Sequence, residues 1–430
     1  MKLTVLDPGH FHAALLQKSM YDGIDADVHV YAPAGPDLTD YVRKIEGFNT
    51  RAQVPTHWDL RAHASPDFLD RFAAERRGDI VVISGNNARK TEYLTQSVAA
   101  GCHTLADKPM AIDAAGFDAV ARAFALAREQ GVLLYDIMTE RHEVTTMLQK
   151  AFSVIESVFG TLERGTPERP AVSKESVHHF SKFVSGAPIT RPAWFFDTAQ
   201  QGEGLVDITT HLVDLVQWEC LPGEILDYRT DVRLTGARRW PTVITPAQFT
   251  QVTQVAAFPA FLHKDVAADG NLHVYANGEI DYVLRGIHAK VSVLWNFEAP
   301  AGAGDTHYSV LRGTRASLVI RQGLAEKYQP TLSIEPVAGT DLREFASALA
   351  ASLPRLQFEF PGVDVERGGN GWQVLVPASY HVGHEAHFAQ VAQEFLRYVK
   401  AGALPAWEEP NMLAKYYTTT QALALARGVS

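Results

Sequence analysis

Residues 79–109, DIVVISGNNARKTEYLTQSVAAGCHTLADKP, decide the fold. The run from Asp79 to Ser84 is almost wholly apolar, which is typical of a strand buried on both faces of a sheet. A helix through Ala100, a glycine stop at Gly101 and a short strand over 103–106 are predicted to follow. Strand, helix and strand at this spacing predict a parallel βαβ unit with a right-handed crossover.

The segments on either side of this unit extend the same pattern. We predict strands over 2–6, 27–31 and 132–137 and a helix over 114–130, with a helix plus irregular chain over 38–55. Together these segments predict a doubly wound α/β domain of the dinucleotide-binding type over 1–138. The first strand leads into Asp7-Pro8-Gly9-His10-Phe11-His12, the place where such a domain carries its phosphate loop.

The phosphate loop departs from the G-x-G-x-x-G fingerprint. Asp7 and His12 stand where the flanking glycines would be, so a cofactor loop and a plain strand-to-helix turn both remain open. The second strand does not end in the usual ribose-binding acid, although Asp37 could serve from the following loop. The absence of a nearby arginine for a 2′-phosphate favours NAD over NADP.

Residues 139–430 show a different pattern, in which helices flank a series of alternating strands. We predict a helix over 141–157, strands over 177–183, 225–234, 271–285, 290–297 and 308–321, and helices over 385–400 and 412–426 that pack back on the body. Asn277-Gly278 is interpreted as a turn, and 334–376 as irregular chain. This part therefore predicts an α+β domain with a large, mainly antiparallel open sheet.

Composition excludes several classes of function. The 430 residues carry a formal charge of −10 and no cluster of Lys and Arg, which argues against a nucleic-acid surface. No apolar run reaches membrane-spanning length, and the first residues show no secretory signal pattern. Cys102 and Cys220 are isolated and interpreted as buried fillers, so we expect a cytoplasmic protein.

A second informative stretch is GEGLVDITTHLVDLVQW over residues 202–218, interpreted as a glycine turn feeding a helix. Asp207, His211 and Asp214 then lie on one side of that helix, a turn apart. A histidine with a carboxylate one turn away can act as a general base, although such a face can also be merely structural. Lys108, before Pro109, falls at the carboxyl end of a strand, where open α/β sheets bind their ligands.

Four pieces of the chain together resemble the glucose-fructose oxidoreductase, inositol dehydrogenase and rhizopine-catabolism (Gfo/Idh/MocA) family. They are the degenerate phosphate loop, SGNNARKTE over 84–92, AGCHTLADKP over 100–109, and GEGLVDITTHLVD over 202–214. The resemblance implies a Rossmann domain, a substrate domain with a large open sheet, and a homo-oligomer, dimer or tetramer. It also implies that Lys108, Asp207 and His211 are catalytic: His211 takes the proton of a sugar hydroxyl, Asp207 orients the imidazole, and Lys108 polarises the oxygen.

The resemblance further implies a set of cofactor contacts. They are Pro8, Gly9, His10, Phe11, His12, Asn86, Asn87, Asp107 and Lys108. Asp107 is a conservative change in the family's Glu-Lys-Pro motif. Lys90 replaces a common histidine, which we expect to change helix capping more than chemistry.

The start of the chain, VHHFSKF over 177–183 and RPAWFFD over 191–197 resemble a sub-branch that oxidises a ring hydroxyl of intact glycosides, at C3. Trp194 could stack on a sugar face. The polar candidates for substrate binding are His178, His179, Lys182, Arg191 and Asp197. Adjacent histidines on a strand point to opposite faces, so at most one is expected to face the site. We predict no metal in this set.

Two alternative functions share the fold. One is a glycosidase that oxidises transiently, eliminates and re-reduces with the same NAD, as a related branch does. The other is a non-catalytic dinucleotide-binding sensor, which retention of Lys108, Asp207 and His211 disfavours.

Overall fold

The first sheet is parallel and has six strands. The computed structural model describes residues 1–184 and 187–429. The strands are β1 (Leu3–Leu6), β2 (Asp27–Ala32), β3 (Asp59–Ala64), β4 (Ile80–Ile83), β5 (His103–Asp107) and β6 (Leu134–Ile137). Their order, β3-β2-β1-β4-β5-β6, reverses direction between β1 and β4 and confirms the predicted doubly wound α/β fold.

Five helices cover this sheet. They are α1 (His12–Leu16), α2 (Pro36–Thr50), α3 (Phe68–Glu75), α4 (Lys90–Ala99) and α5 (Ala114–Gln130). The helix predicted over 114–130 has these bounds because Asp113 caps its first turn and Gly131 ends it in the left-handed region. The sequence missed β3, since most residues of this edge strand are exposed and no apolar run marks it.

The second sheet is mixed and has nine strands, which confirms the predicted large, mainly antiparallel sheet. They are β7 (Val172–Ser181), β10 (Val232–Ile244), β11 (Leu272–Leu284), β12 (Ile287–Glu298), β13 (Thr306–Arg312), β14 (Ala316–Gln322), β15 (Thr331–Pro336), β16 (Asp364–Arg367) and β17 (Trp372–Leu375); a separate ribbon pairs β8 (Phe183–Val184) with β9 (Ala187–Pro188). The order is β10-β11-β12-β7-β13-β14-β15-β17-β16. Only β7 and β12 run parallel among these described neighbours.

Several local predictions in this part were wrong. The predicted strand over 308–321 is two strands, because the chain turns at Gly313, where a Cβ would lie 2.2 Å from the Phe159 carbonyl oxygen. The predicted turn at Asn277 lies inside β11, where its side chain accepts a hydrogen bond from the Trp295 amide at 2.7 Å. A buried asparagine that satisfies a neighbouring strand gives the same local sequence signal as a turn.

Further helices lie in the chain after β6. They are α6 (Val144–Ser153), α7 (Glu156–Phe159), α8 (Thr198–Gln201), α9 (Thr209–Cys220), α10 (Tyr228–Asp231), α11 (Pro246–Thr253), α12 (Leu342–Glu359), α13 (His384–Ala401) and α14 (Glu408–Ala426). The strand predicted over 225–234 is in fact α10 followed by the start of β10, and the segment thought irregular, 334–376, contains α12, β16 and β17. Proline at 354 hides α12 from a periodicity argument.

The last two helices pack back on the first sheet. Phe388, Val391 and Phe395 of α13 and Tyr416 of α14 belong to the same buried core as Val5 of β1. The two parts of the chain therefore share a core, and the cavity described next lies where they meet. No helix in the described ranges is long and apolar enough to span a bilayer.

Candidate active site

A cavity of about 1210 Å³ opens where the loops after β1 and β5 meet α9 and the end of β7. Ten of the residues predicted from sequence line it: His10, Phe11, His12, Lys108, His178, His179, Lys182, Arg191, Asp207 and His211. The other predicted residues do not line it: Pro8, Gly9, Asn86, Asn87, Asp107, Trp194 and Asp197. The structure thus brings the three candidate catalytic side chains to one cavity. Part of the expected cofactor set does not line this cavity.

Lys108 and Asp207 form a buried ion pair at the cavity wall. The Lys108 Nζ donates to Asp207 Oδ1 at 2.5 Å, and both side chains are more than nine-tenths buried. Burial raises the pKa of the Asp207 carboxyl, but the Lys108 ammonium outweighs this effect and holds the pKa below its ordinary value. Asp207 lies in the turn before α9, so the turn that leads into that helix fixes the position of the lysine.

His211 follows one turn into α9 and lines the same cavity. Its Nδ1 is buried without a hydrogen-bond partner in the described part of the chain, so Asp207 pairs with Lys108 and not with this imidazole. Burial first, and the Lys108 charge second, place the pKa of His211 well below its ordinary value. The imidazole is therefore neutral at neutral pH and able to accept a proton.

Asp214, the third member of the stretch, belongs to a buried ion network instead. It accepts from Arg141 Nε at 2.6 Å and from Lys415 Nζ at 2.7 Å. The same Arg141 donates to Glu408 at 2.8 Å. Burial raises the pKa of Asp214, yet Arg141 and Lys415 bring the pKa below its ordinary value. This network ties α9 to α14 and has a structural role.

One wall of the cavity carries two histidines on one carboxylate, which we call the Asp107 cluster (His10, His12 and Asp107). Asp107 Oδ2 lies 2.9 Å from His12 Nδ1 and 3.5 Å from His10 Nδ1. Ser84 Oγ donates to the same oxygen at 2.9 Å. Burial lowers the pKa of His12 to about 3, although the Asp107 charge opposes this shift.

Lys90 supports this cluster from behind. Its Nζ donates to the main-chain oxygen of Asp107 at 2.9 Å, and burial lowers the pKa of the lysine to about 8. The expectation that Lys90 affects helix capping was wrong, because its side chain is buried and reaches the end of β5.

A second group of residues that line the cavity is the Asp305 cluster (His178, His179, Lys182 and Asp305). Asp305 Oδ1 lies 2.9 Å from His179 Nδ1, and Asp305 Oδ2 lies 3.4 Å from His178 Nδ1 and 2.6 Å from Lys182 Nζ. Both histidines line the cavity, which corrects the expectation that only one would. Asp305 precedes β13, whose first residue pairs with Val177, so its carboxylate stands at the strand edge and reaches both rings.

The loop over residues 7–12, where a phosphate loop was expected, makes main-chain hydrogen bonds within itself and with other parts of the protein. The Gly9 amide donates to the Asp7 carbonyl at 2.8 Å, and the His10 amide donates to the Ser84 carbonyl at 3.3 Å. Asp7 adopts a φ of 44°, a conformation that a glycine would adopt without strain. Trp194 Nε1 donates to Asp37 Oδ2 at 2.9 Å, and a Cβ on Gly9 would lie 2.9 Å from that same oxygen.

The segment after Trp194 covers the neighbouring loop as well. Asn86 Nδ2 donates to Gln200 Oε1 at 2.6 Å, and Asn87 Nδ2 donates to the Gln201 carbonyl at 2.7 Å. Asp197 caps α8 and pairs with Lys264 at 2.8 Å. Residues 194–201 therefore contact the expected cofactor loops, and the sugar-stacking position predicted for Trp194 is not where the structure places it.

Arg191 lines the cavity, but its guanidinium donates hydrogen bonds to main-chain carbonyl oxygens. Its Nε donates to the Phe180 carbonyl at 2.7 Å, and its guanidinium lies over the Phe195 ring, 4.5 Å from the centroid. Burial lowers the pKa of Arg191 to about 10.

Sequence reasoning missed several titratable residues of the cavity. Three of them are Glu140, Asp305 and His384. Burial raises the pKa of Glu140 and lowers the pKa of His384 to about 4. All three lie in loops or at a helix start, where no periodic pattern distinguishes them from solvent-facing residues.

Comparison with known proteins decides the family. The family model described as "Putative oxidoreductase C terminal domain" matches residues 148–427. A crystal structure of a "putative oxidoreductase" from Parabacteroides merdae ATCC 43184 is 52% identical, with a TM-score of 0.98, and covers 100% of this chain and 98% of that chain. This chain belongs to the Gfo/Idh/MocA oxidoreductase family.

More distant members of the family's fold include enzymes with bound dinucleotides. Levoglucosan dehydrogenase in complex with NADH and levoglucosan is 12% identical with a TM-score of 0.62, over 100% of this chain and 98% of that chain. Biliverdin reductase from Synechocystis sp. PCC 6803, in complex with biliverdin and NADP⁺, is 12% identical with a TM-score of 0.58, over 99% of each chain. These two similarities concern the fold. No protein of curated function matches the sequence.

Proposed function

We propose that this protein is a nicotinamide-dependent dehydrogenase that oxidises a ring hydroxyl of a sugar or glycoside, at C3. The observation that carries the proposal is the meeting of Lys108, Asp207 and His211 at one cavity. A hydroxyl that loses its proton as its carbon loses a hydride needs a base and a cation beside the oxygen. His211 and Lys108 supply these two groups.

The roles follow from the contacts. His211 accepts the hydroxyl proton, because burial and the Lys108 charge hold its pKa well below the ordinary value and keep the ring neutral. Lys108, held by Asp207 at 2.5 Å, stabilises the developing alkoxide. Asp207 is thus a positioning residue for the lysine. When bound, a nicotinamide dinucleotide supplies the hydride acceptor.

The structure fits the nicotinamide end of a dinucleotide better than its pyrophosphate end. The cavity beside Lys108 and His211 has room for the reacting end, and the switch point between β1 and β4 is the usual place for a dinucleotide. The residues that would hold the rest are Pro8, Gly9, His10, Phe11, His12, Asn86 and Asn87. At that end the Trp194–Asp37 hydrogen bond lies over Gly9 and must open to admit a pyrophosphate. With no arginine near Asp37, we favour NAD over NADP.

A second candidate is the glycosidase with transient oxidation and a retained NAD. The contacts of residues 194–201 with the cofactor loops favour slow exchange of a dinucleotide, as such a cycle requires. The oligomer expected from the large sheet stays a prediction.

The test follows absorbance at the NADH band as purified protein meets NAD and a panel of glycosides, free sugars and inositols. We expect NADH to accumulate with one class of sugar, whereas consumption of a glycoside without free NADH supports the glycosidase. His211→Ala and Lys108→Met should each lose several orders of magnitude in turnover and still bind dinucleotide, while exposed His57→Ala keeps full activity. Near wild-type turnover in the first two variants rejects the assignment.

A further inference from the structure

The Asp107 cluster has the composition and spacing of a metal site. A ring nitrogen of His10, a ring nitrogen of His12 and a carboxylate oxygen of Asp107 all lie within 4.8 Å of one another. Neighbouring ligands of a tetrahedral zinc ion with bonds near 2.1 Å are about 3.4 Å apart. The measured nitrogen–oxygen separations of 2.9 and 3.5 Å lie on either side of this value.

One ring nitrogen of the cluster makes no hydrogen bond in the described part of the chain. Asp107 Oδ2 already accepts from His12 and from Ser84, each at 2.9 Å. His10 Nδ1 points toward the same oxygen but is buried without a hydrogen-bond partner in the described ranges. A buried polar atom without a partner costs free energy, and an ion between the three ligands would satisfy it.

The charge of the cluster also favours a cation. In the described residues no lysine or arginine pairs with the Asp107 carboxylate, because Lys108 pairs with Asp207 and Lys90 binds the Asp107 main-chain oxygen. A buried carboxylate is stable only when it is paired or coordinates a metal. Ser84 and Lys90 hold the carboxylate and its backbone, as outer partners do in metal sites.

We propose that His10, His12 and Asp107 bind a divalent transition-metal ion of the zinc class, with an open coordination position toward the cavity. Two imidazoles and one carboxylate are the ligand types that such ions prefer. Three protein ligands leave room for a water molecule or a substrate oxygen. Both histidines line the cavity that contains Lys108 and His211, so this position faces the candidate active site.

The proposal does not rest on the dehydrogenase assignment, and its test measures binding. Full-length protein is stripped with a chelator, dialysed against Zn²⁺ and analysed for metal content. A parallel Co²⁺ titration follows the visible absorption of a low-coordinate cobalt site. We expect one equivalent of Zn²⁺ and a saturable Co²⁺ spectrum.

Three variants locate the ion. His12→Ala and Asp107→Asn should each weaken Zn²⁺ binding roughly 100-fold or more, since each removes a ligand. His179→Ala, the matched change in the Asp305 cluster, should bind as the wild type does. Circular dichroism checks that each variant is folded; if His12→Ala does not fold, the Zn²⁺-induced rise in wild-type Tm and its loss in His10→Ala serve instead. Wild-type protein that binds less than a tenth of an equivalent, or loss of binding in His179→Ala alone, overturns the proposal.

Discussion

The two histidine–aspartate clusters contribute side chains to one cavity, and each contains two imidazoles and one carboxylate. In the Asp305 cluster, Lys182 Nζ lies 2.6 Å from the carboxylate, so the negative charge is already balanced. Near the Asp107 cluster, Lys108 pairs with Asp207 and Lys90 donates to the Asp107 main-chain carbonyl, so neither pairs with the Asp107 carboxylate. The comparison suggests a rule: a cation beside the carboxylate neutralises the two-histidine cluster, and without one the cluster keeps a net negative charge that an ion could balance.

The sharpest way to break this comparison is to remove the lysine. Lys182→Met takes the cation from Asp305 and leaves His178, His179 and the carboxylate as a free ligand set. We expect a second equivalent of Zn²⁺ to bind, with affinity at least about 100-fold above that of the wild-type Asp305 cluster. Metal analysis after dialysis measures the stoichiometry.

Lys182→Arg is the matched control, because it keeps the positive charge and should bind a single ion. A single equivalent in Lys182→Met as well would mean that geometry, and not the lysine, separates the two clusters.

Acid should weaken the Asp305 cluster. Burial raises the pKa of Asp305, but His178 and Lys182 outweigh it, so the folded pKa lies below the unfolded value of about 4. A depressed carboxyl pKa contributes stability above the unfolded pKa and loses it as pH falls. Asp305→Asn should therefore lower the free energy of unfolding by about 1–3 kcal/mol at pH 7. Below about pH 4 this difference should shrink.

Urea unfolding at pH 7 and at pH 3 measures the two differences. Asp118→Asn, an exposed carboxylate on α5, controls for charge alone. A gap between wild type and Asp305→Asn that stays constant with pH would show that the carboxylate contributes through packing.

The serines give the finest comparison. Ser84 Oγ donates to the Asp107 carboxylate at 2.9 Å, whereas Ser176 Oγ lies 2.8 Å from His178 Nε2 in the other cluster. Ser84→Ala should weaken Zn²⁺ binding about tenfold, since it removes an outer partner of a ligand. Ser176→Ala should leave Zn²⁺ affinity unchanged. Calorimetric titration measures both, and equal effects would mean that Ser84 does not support the ion.

Sequence reasoning predicted most of the first domain because its signals are local. The apolar run at β4 and the caps of α5 depend on neighbouring residues alone. It failed at β3, an exposed edge strand, and at α12, which contains Pro354. In both cases pairing or packing with distant chain outweighs weak local preference.

The candidate site shows the same division. Two short motifs led to the prediction of Lys108, Asp207 and His211, but the pairing of Lys108 with Asp207 was not predicted, since spacing along α9 does not reveal a partner 99 residues away. The Asp107 cluster joins residues 95 apart, and Asp305 lies in a loop without any pattern. The hydrogen-bond partner of a buried carboxylate depends on packing between distant parts of the chain, which local sequence does not show.

The ion network around Asp214 has a consequence for how the protein is assembled. Lys415 lies 201 residues after Asp214, so the buried ion network of the helix that carries His211 stays incomplete, with Arg141 as the partner of Asp214, until that later segment arrives. Contacts of such long range form late because a large loop must close first. We therefore expect the helix that carries the candidate base to reach its final packing late in folding, and a partly folded chain with a complete Rossmann sheet to be inactive.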